Sequence, residues 1–542
     1  MKNIKRYAFV LVSAFFTTTA VVSCSDSFEE INTNPNNPEV ALTYGIYNAA
    51  NKAVTDATRN SFESARVALP WMQYSAQTAY TEEDRYQYRL TSGDALWRNL
   101  YGAASNYKII IDINTNPETA VAASAYGSNK NQIAASRVML SYVFLNLADT
   151  FGDIPYYSYG NKDADFQALN VEEFLKPKFA SQQKVYADIM KELQEAAAMV
   201  EVGKPVFTQG DLLFGGDAEK LVKFANSLRL RVATRVKGVV PGAEAHIASA
   251  IAGGLMTSNK DNVGVTYENN RTNPSPLFQD FLTRSDFSVS KTFIDLLKGN
   301  TANFGLDPRL FKYVSKNKLS DEEIAANPDK TLKERIIDGS LSESTDLSLY
   351  IGQPYGLDQS LSSSQAEQSN FFSKHVYKQN YTEILMEYSE VEFLLSENKG
   401  WDQSHYEKGV KASLEKWLDP EKEADQINAF VNSLPPANAE NVMTQKYVAL
   451  FMQPYEAWAD YRRTGYPDTT VLLLPGETGT LNVPFEGATT YIFEPLIADL
   501  TDLPTRLYYP TLIQTLNPQN YAAAATAIGG DKMSTKLIWD KN

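Results

Sequence analysis

The chain has 542 residues, 50 Lys+Arg against 65 Asp+Glu, and a formal net charge of −15, with 43% hydrophobic and 12% aromatic residues. That balance argues against a nucleic-acid partner, since phosphate binding needs clustered cations and the sequence shows no such cluster. The length allows a large core, and a lone cysteine, Cys24, excludes an internal disulfide.

In chain order, Lys2, Lys5 and Arg6 precede an apolar run from Ala8 to Val22, which ends at Ser23-Cys24. This is the pattern of a secretory signal. The run is about 15 residues, short of the roughly 20 that a membrane-spanning helix needs, and no later segment is long and apolar enough either. A cysteine at the cleavage point resembles a bacterial lipobox, in which the thiol is acylated and becomes the mature N-terminus. Acyl chains of that kind would anchor the protein stably. The polar stretch SDSFEEINTNPNNPEV behind it reads as a tether, with Asp26, Glu29 and Glu30 close to the anchor.

The regular segments are mostly helical by period. QIAASRVMLSYVFLNLAD (132–149) is apolar on nearly every side, as in a helix buried within a bundle. In 181–200, Val185, Ile189, Leu193 and Ala197 form one apolar stripe against a charged back. The segment 217–236 opens with Asp217 as N-cap and repeats Leu221, Phe224, Leu228 and Val232. TEILMEYSEVEFLLSENKG (382–400) predicts a helix stopped by Gly400, and 441–463 another in which Pro454 marks a kink or restart. The stretches 258–380 and 465–505, rich in turn-formers, predict elaborated loops with short strands or helices. No fixed-period repeat is evident.

Several stretches, in order, resemble one family. They are FEEINTNPNNPEV (28–40), LADTFGDIPYY (147–157), KPKFASQQKVYADI (176–189), FGGDAEKLVKFANSLRLRVATR (214–235), LDPRL (306–310), YIGQPYGL (350–357), QKYVALFMQPYEAWADYRRTGYP (445–467), RLYYP (506–510) and TKLIWD (535–540). Together they resemble the SusD/RagB nutrient-binding lipoproteins, in the branch often called SusD-like 2. The departures are small, with Ala180 where many relatives have an acidic residue and Phe179 where they often have Tyr.

The resemblance implies an all-α, mainly helical fold: a tetratricopeptide-like scaffold of helix pairs, with long loops and minor β forming the ligand face. It divides the chain into a signal peptide (1–23), a lipidated Cys24 with an acidic tether (24–40) and one substrate-binding domain (41–542). The implied place is the outer surface of the outer membrane. The implied partner is a TonB-dependent (SusC-like) barrel, over which the protein sits as a lid. Arg462, Arg463, Arg506 and Asp149, all within matching stretches, read most simply as pairing with charges or capping helix ends.

An enzyme reading finds little support. No GxSxG, HExxH, GxxxxGK[ST] or GxGxxG occurs, and His246, His375 and His405 are far apart in sequence. A glycosidase needs two carboxylates about 5 to 10 Å apart, but 65 acidic residues make such a pair uninformative. Glu390, Glu392 and Glu397 lie on one predicted helix, where solvated faces or capping explain them. Nothing in the sequence calls for a cofactor or a metal.

Binding surfaces for carbohydrate combine aromatic faces with precise polar groups. Three regions have that mix: 71–89 with Trp71, Tyr74, Tyr80, Tyr86 and Tyr88; 267–287 with Tyr267, Asn269, Asn270, Arg271 and Phe287; and 350–360 with Tyr350 and Tyr355. The first two are expected to contribute to one pocket, although Trp71 and Tyr74, three apart, equally fit a buried helix stripe. An oligosaccharide is the favoured ligand, with a peptide the alternative. A surface glycoside hydrolase and an adhesin are the competing readings.

Overall fold

The structure, a computed structural model, describes residues 42–60 and 64–541. Cys24, the signal and the tether lie outside the described residues. Tyr44–Asn542 is one compact unit.

Helices dominate. The main ones are α1 (Thr43–Arg59), α2 (Asp94–Thr115), α3 (Asn129–Phe151), α4 (Gln182–Met199), α5 (Ala218–Arg235) and α6 (Ala243–Ala252). After them come α7 (Pro276–Thr283), α8 (Leu332–Ile337), α9 (Tyr388–Asn398), α10 (Gln403–Trp417), α11 (Ala439–Ala449) and α12 (Pro454–Thr464). From α2 to α6 each helix packs on its successor, and α9, α10 and α11 form a second set joined to the first where α9 meets α5. Among the described residues the strands make three two-stranded antiparallel sheets: β1 (Ser75–Gln77) with β3 (Phe287–Val289), β2 (Val263–Thr266) with β4 (Thr382–Met386), and β5 (Thr478–Phe485) with β6 (Ala488–Ile492). The fold is the all-α, helix-pair scaffold that the resemblance implies.

The sequence pattern explains the frame. Every residue of α3 from Asn131 to Phe151 except Asn146 is buried, which is why this helix shows no polar face. Ser181 caps α4, accepting from the Lys184 amide at 3.4 Å, and Val185, Ile189 and Leu193 are buried. Asp217 caps α5 through the amides of Glu219 (2.8 Å) and Lys220 (3.1 Å). Pro454 restarts rather than kinks: α11 ends at Ala449 and the proline sits in the first turn of α12, where its missing N–H costs nothing. Gly400, at φ +75°, closes the turn after α9.

One predicted helix is half strand. Residues 382–386 form β4 against β2, and α9 begins only at Tyr388. The run Ile384-Leu385-Met386 is buried on both sides, so its apolar residues follow neither period, and the sheet partner decides the outcome. The helices α1 and α2 were not singled out from the sequence.

The helices are bolted together by a buried charge network in which residues of the matching stretches meet carboxylates of α9. Arg231 on α5 donates to Glu390 on α9 at 2.6 Å and lies 3.4 Å from Glu456 on α12. Arg235 pairs with Asp149 at the end of α3 and with Glu456. Arg463 meets Glu397 at 2.8 Å, and Lys446 meets Asp460 at 2.6 Å. Glu390, Glu392 and Glu397 are therefore not a solvated face: all three carboxylates are partnered, Glu392 with His405 at 2.6 Å. Burial opposes ionisation of Glu456, but Arg231 and Arg235 outweigh it and hold that carboxyl below its ordinary range. Arg462 follows the helix-capping alternative rather than the carboxylate pairing. Its guanidinium lies 3.5 Å from the Trp458 ring centroid and donates to the carbonyls of Asp149 and Thr505, each at 2.7 Å. Arg506 closes the C-terminal end of α3 through the Phe151 carbonyl at 3.0 Å and pairs with Asp531 at 2.6 Å.

Candidate functional site

The sheet β2–β4 is the base on which the candidate site stands. The chain leaves β2 as a loop that is clamped twice to the segment leading into β4: the Tyr267 amide donates to the Tyr381 carbonyl (3.1 Å) and the Ser275 amide to the Gln379 carbonyl (2.8 Å). Between the clamps, the Asn270 side chain accepts from the amides of Thr272 (2.8 Å) and Asn273 (3.0 Å), an Asx turn that shapes the loop. Pro276 then opens α7, whose Phe278 and Leu282, four residues apart, share a face. Opposite stands α8, opened by a capping box between Thr331 and Glu334. Lys333 pins α8 to α7: its ammonium lies 4.8 Å from the Phe281 ring centroid and donates to the Arg284 carbonyl at 3.1 Å.

Between these elements lies an open cleft of about 460 Å³, within the size range of small-ligand sites. Asn269 and Arg271 stand on its rim, Leu282 and Ile337 give it aliphatic wall, and Lys374, Lys378 and Gln379 close the far side. A second cleft of about 520 Å³, between the loop at 303–308 and the helix Ala424–Asn432, has no charged group on its lining. The first is the better candidate because specific polar groups converge there.

Of the residues picked out from the sequence, Tyr80, Asn269, Asn270 and Arg271 are exposed. Tyr80 is 58% exposed, with the Arg66 guanidinium 5.5 Å from its ring centroid. It lies near Arg284, which ends α7, and no residue of the 71–89 segment lines the cleft. Asn269 and Arg271 line the cleft.

The other seven correct the expectation. Trp71, Tyr74, Tyr86, Tyr267, Phe287 and Tyr355 are buried and Tyr88 half-buried, so they have little or no ring face left for a ligand. Trp71 packs on Trp458 at 4.8 Å, and Tyr88 stands edge-on to Trp71 while its hydroxyl donates to the Arg66 carbonyl. Tyr86 and Tyr355 both meet Phe493 edge-on. Phe287 lies within β3, paired with Gln77. The Tyr267 hydroxyl donates to Asp56 at 2.5 Å, tying the loop's root to α1. Trp71 and Tyr74 are both buried but do not form one helix stripe: the short helix ends at Trp71, and Tyr74 lies beyond it, after Gln73 at φ +51°. Lys378, Leu282 and Ile337 were missed, because a search for aromatic clusters passes over aliphatic and cationic lining.

Two of the three histidines are engaged structurally. His375 contacts Glu343 at 2.8 Å and His405 contacts Lys399 at 2.7 Å as well as Glu392. Burial, and then Arg229, push the His246 pKa down. Among the described residues no group of three or more His, Cys, Asp or Glu is placed to hold a metal, and no helix is long and apolar enough to cross a membrane.

Among solved structures, a chitin-binding protein is 24% identical, with a TM-score of 0.71 and a match covering 92% of this chain and 100% of that one. A SusD homolog from Parabacteroides distasonis gives 21% and 0.69, covering 93% and 98%. A chitin-binding SusD homolog from Flavobacterium johnsoniae gives 20% and 0.67, covering 92% and 99%. At these identities the likeness speaks to the fold. No curated protein matches the sequence. A family model described as starch-binding, associating with the outer membrane, matches residues 35–331 and 332–484, and one described as a SusD and RagB outer-membrane lipoprotein matches 435–540. Between them these matches span nearly all of the described helical unit, and the chain belongs to the SusD-like family.

Proposed function

We propose that this protein is a lipid-anchored, surface-exposed binding protein of the outer membrane, which captures an oligosaccharide in the α7–α8 cleft and passes it unchanged to a TonB-dependent barrel. The observation that carries the reading is the division of labour in the fold. A helical frame held by buried ion pairs presents, on loops, an open cleft of about 460 Å³ with convergent polar groups and aliphatic walls. A rigid frame with variable loops suits capture of one ligand class by each relative. The family's description as starch-binding and the chitin-binding relatives support a glycan over a peptide. Cys24, at the end of the signal, supplies the anchor.

Calorimetric titration of the mature chain with neutral and acidic oligosaccharides and with peptides, with the same tubes analysed for products, tests the binding reading. Saturable binding of an oligosaccharide without turnover is expected. Cleaved substrate would instead assign an enzyme. Affinity purification from solubilised outer membrane tests the partner, and recovery of no large barrel protein would refute that part.

A further inference from the structure

We propose that the α7–α8 cleft takes a carboxylate-bearing oligosaccharide, a uronate, in preference to a neutral one. This rests on reading the cleft as the nutrient site. The chain as a whole is strongly acidic, at −15. The cleft lining reverses that sign, with Arg271, Lys374 and Lys378 against a single carboxylate, Asp338.

The cations on the lining are not neutralised in place. Asp338 is already held by Lys330, and His375 is engaged with Glu343. The Lys374 ammonium donates to the carbonyls of Gly339 (3.3 Å) and Leu341 (2.8 Å), which fixes its position while leaving its charge uncompensated. Arg271 and Lys378, both exposed, form no ion pair among the described residues. A concave surface of one sign focuses its field into the cleft and raises the local concentration of an oppositely charged ligand.

A second observation points the same way. Tyr377 lines the cleft and is only 1% exposed, stacked on Phe281 at 3.7 Å, yet its hydroxyl has no hydrogen-bond partner. A buried donor without an acceptor is unfavourable, and a ligand oxygen able to reach it would relieve that cost. Burial raises the pKa of this phenol, keeping it a donor. The planar guanidinium of Arg271 suits a bidentate carboxylate. Asn269 and Gln379 on the same lining offer amides to ring hydroxyls, and Leu282 and Ile337 offer apolar wall to a sugar's C–H face.

The test titrates the mature chain with oligogalacturonate, with its neutral methyl ester, with a neutral chitooligosaccharide and with an acidic peptide, at low and at high salt. Two variants accompany it: Arg271→Gln combined with Lys378→Gln, and the cleft-filling Leu282→Trp. At low salt the acid is expected to bind at least about tenfold more tightly than its ester, with the advantage shrinking as salt rises. The double variant should abolish that advantage, and Leu282→Trp should abolish binding of the acid. Equal affinity for acid and ester, an advantage that survives the double variant, or preference for the peptide overturns the inference. Should neutral saccharides bind, lose affinity in Leu282→Trp and show no preference for acid, the cleft remains the nutrient site and only the uronate specificity falls. Saccharide binding that is indifferent to Leu282→Trp, or no saccharide binding at all, refutes both.

Discussion

Tyr74 and Tyr447 stack face to face, 4.5 Å apart with ring planes 8° from parallel, and each hydroxyl reaches backbone beside the other ring: Tyr74 donates to the Tyr447 carbonyl (2.6 Å) and Tyr447 to the Met72 carbonyl (2.7 Å). The pair fastens the start of the 71–89 segment to α11, and Phe293 and Phe451 close around it edge-on to Tyr74. Tyr74 is therefore a structural clamp. Tyr74→Phe strands a buried carbonyl and is expected to cost about 1–2 kcal/mol, and Tyr74→Ala, which leaves a cavity, about 3–5 kcal/mol. Denaturant unfolding measures both. Saccharide affinity of the folded Tyr74→Phe protein should be unchanged, and a loss there would return Tyr74 to the ligand site.

What the sequence disclosed divides along this line. The helices α3, α4 and α5 and the Asp217 cap were legible because their apolar residues repeat at the helical period and the cap is local. The strand at 382–386 was not, because a short run buried on both faces has no period, and its partner β2 lies more than a hundred residues earlier. Tyrosine is ambiguous for a different reason. Tyr80 and Tyr86 lie six residues apart in the same turn-rich stretch, and only tertiary packing against Phe493 sends one inside. The α9 carboxylates were misread because their cationic partners come from other helices, so nothing near Glu390 in sequence announces Arg231. Asn269 and Arg271 were found by composition, whereas Leu282, Ile337 and Lys378 gave no comparable signal.

The Arg231–Glu390 pair should behave as a buried bond. Glu390→Gln leaves Arg231 inside the core with Glu456, at 3.4 Å, as its remaining carboxylate. The expected cost is about 3–5 kcal/mol. The exposed pair of Lys411 and Glu415, one helical turn apart at 3.9 Å, gives the contrast, and Lys411→Ala should cost less than about 0.5 kcal/mol. Equal effects in urea unfolding would mean that the network does not hold the frame.

Glu383 gives the stability a pH dependence of definite sign. Burial, opposed by Arg59 at 3.7 Å, raises its carboxyl from the ordinary 4.5 to about 7. The folded state then binds this proton more tightly than the unfolded state. Its stabilisation is complete below about pH 4.5 and is lost as pH rises through about 7. Other buried carboxyls titrate too, so the quantity to measure is the difference from Glu383→Gln, which stays neutral throughout. Relative to that variant, the native protein should lose stability between about pH 5 and pH 8, on the order of 3 kcal/mol. A difference independent of pH in that window would show that Glu383 is ionised in the fold from the start.

Gly352, in the YIGQPYGL stretch, is required for close approach rather than for an unusual backbone angle. A Cβ built there would fall 2.2 Å from Lys291 Cα and 2.4 Å from its amide nitrogen. Neither atom can retreat, because the same crossing carries two backbone bonds, from the Lys291 amide to the Gln353 carbonyl (2.8 Å) and from the Gln353 amide to the Val289 carbonyl (2.9 Å). The adjoining Ser290 amide donates to the Tyr74 carbonyl at 3.2 Å, so the contact reaches the Tyr74–Tyr447 clamp. Gly352→Ala must push the strands apart and break at least one of these bonds, with an expected loss of about 2–4 kcal/mol. Gly102 is the internal control. It lies in the middle of α2 with nothing within 4 Å of a built Cβ, and Gly102→Ala should stabilise by about 0.5–1 kcal/mol through helix propensity. Opposite signs for the two substitutions in one denaturation series are the expected outcome. A Gly352→Ala protein as stable as the parent would mean that the β3 crossing is looser than these distances allow.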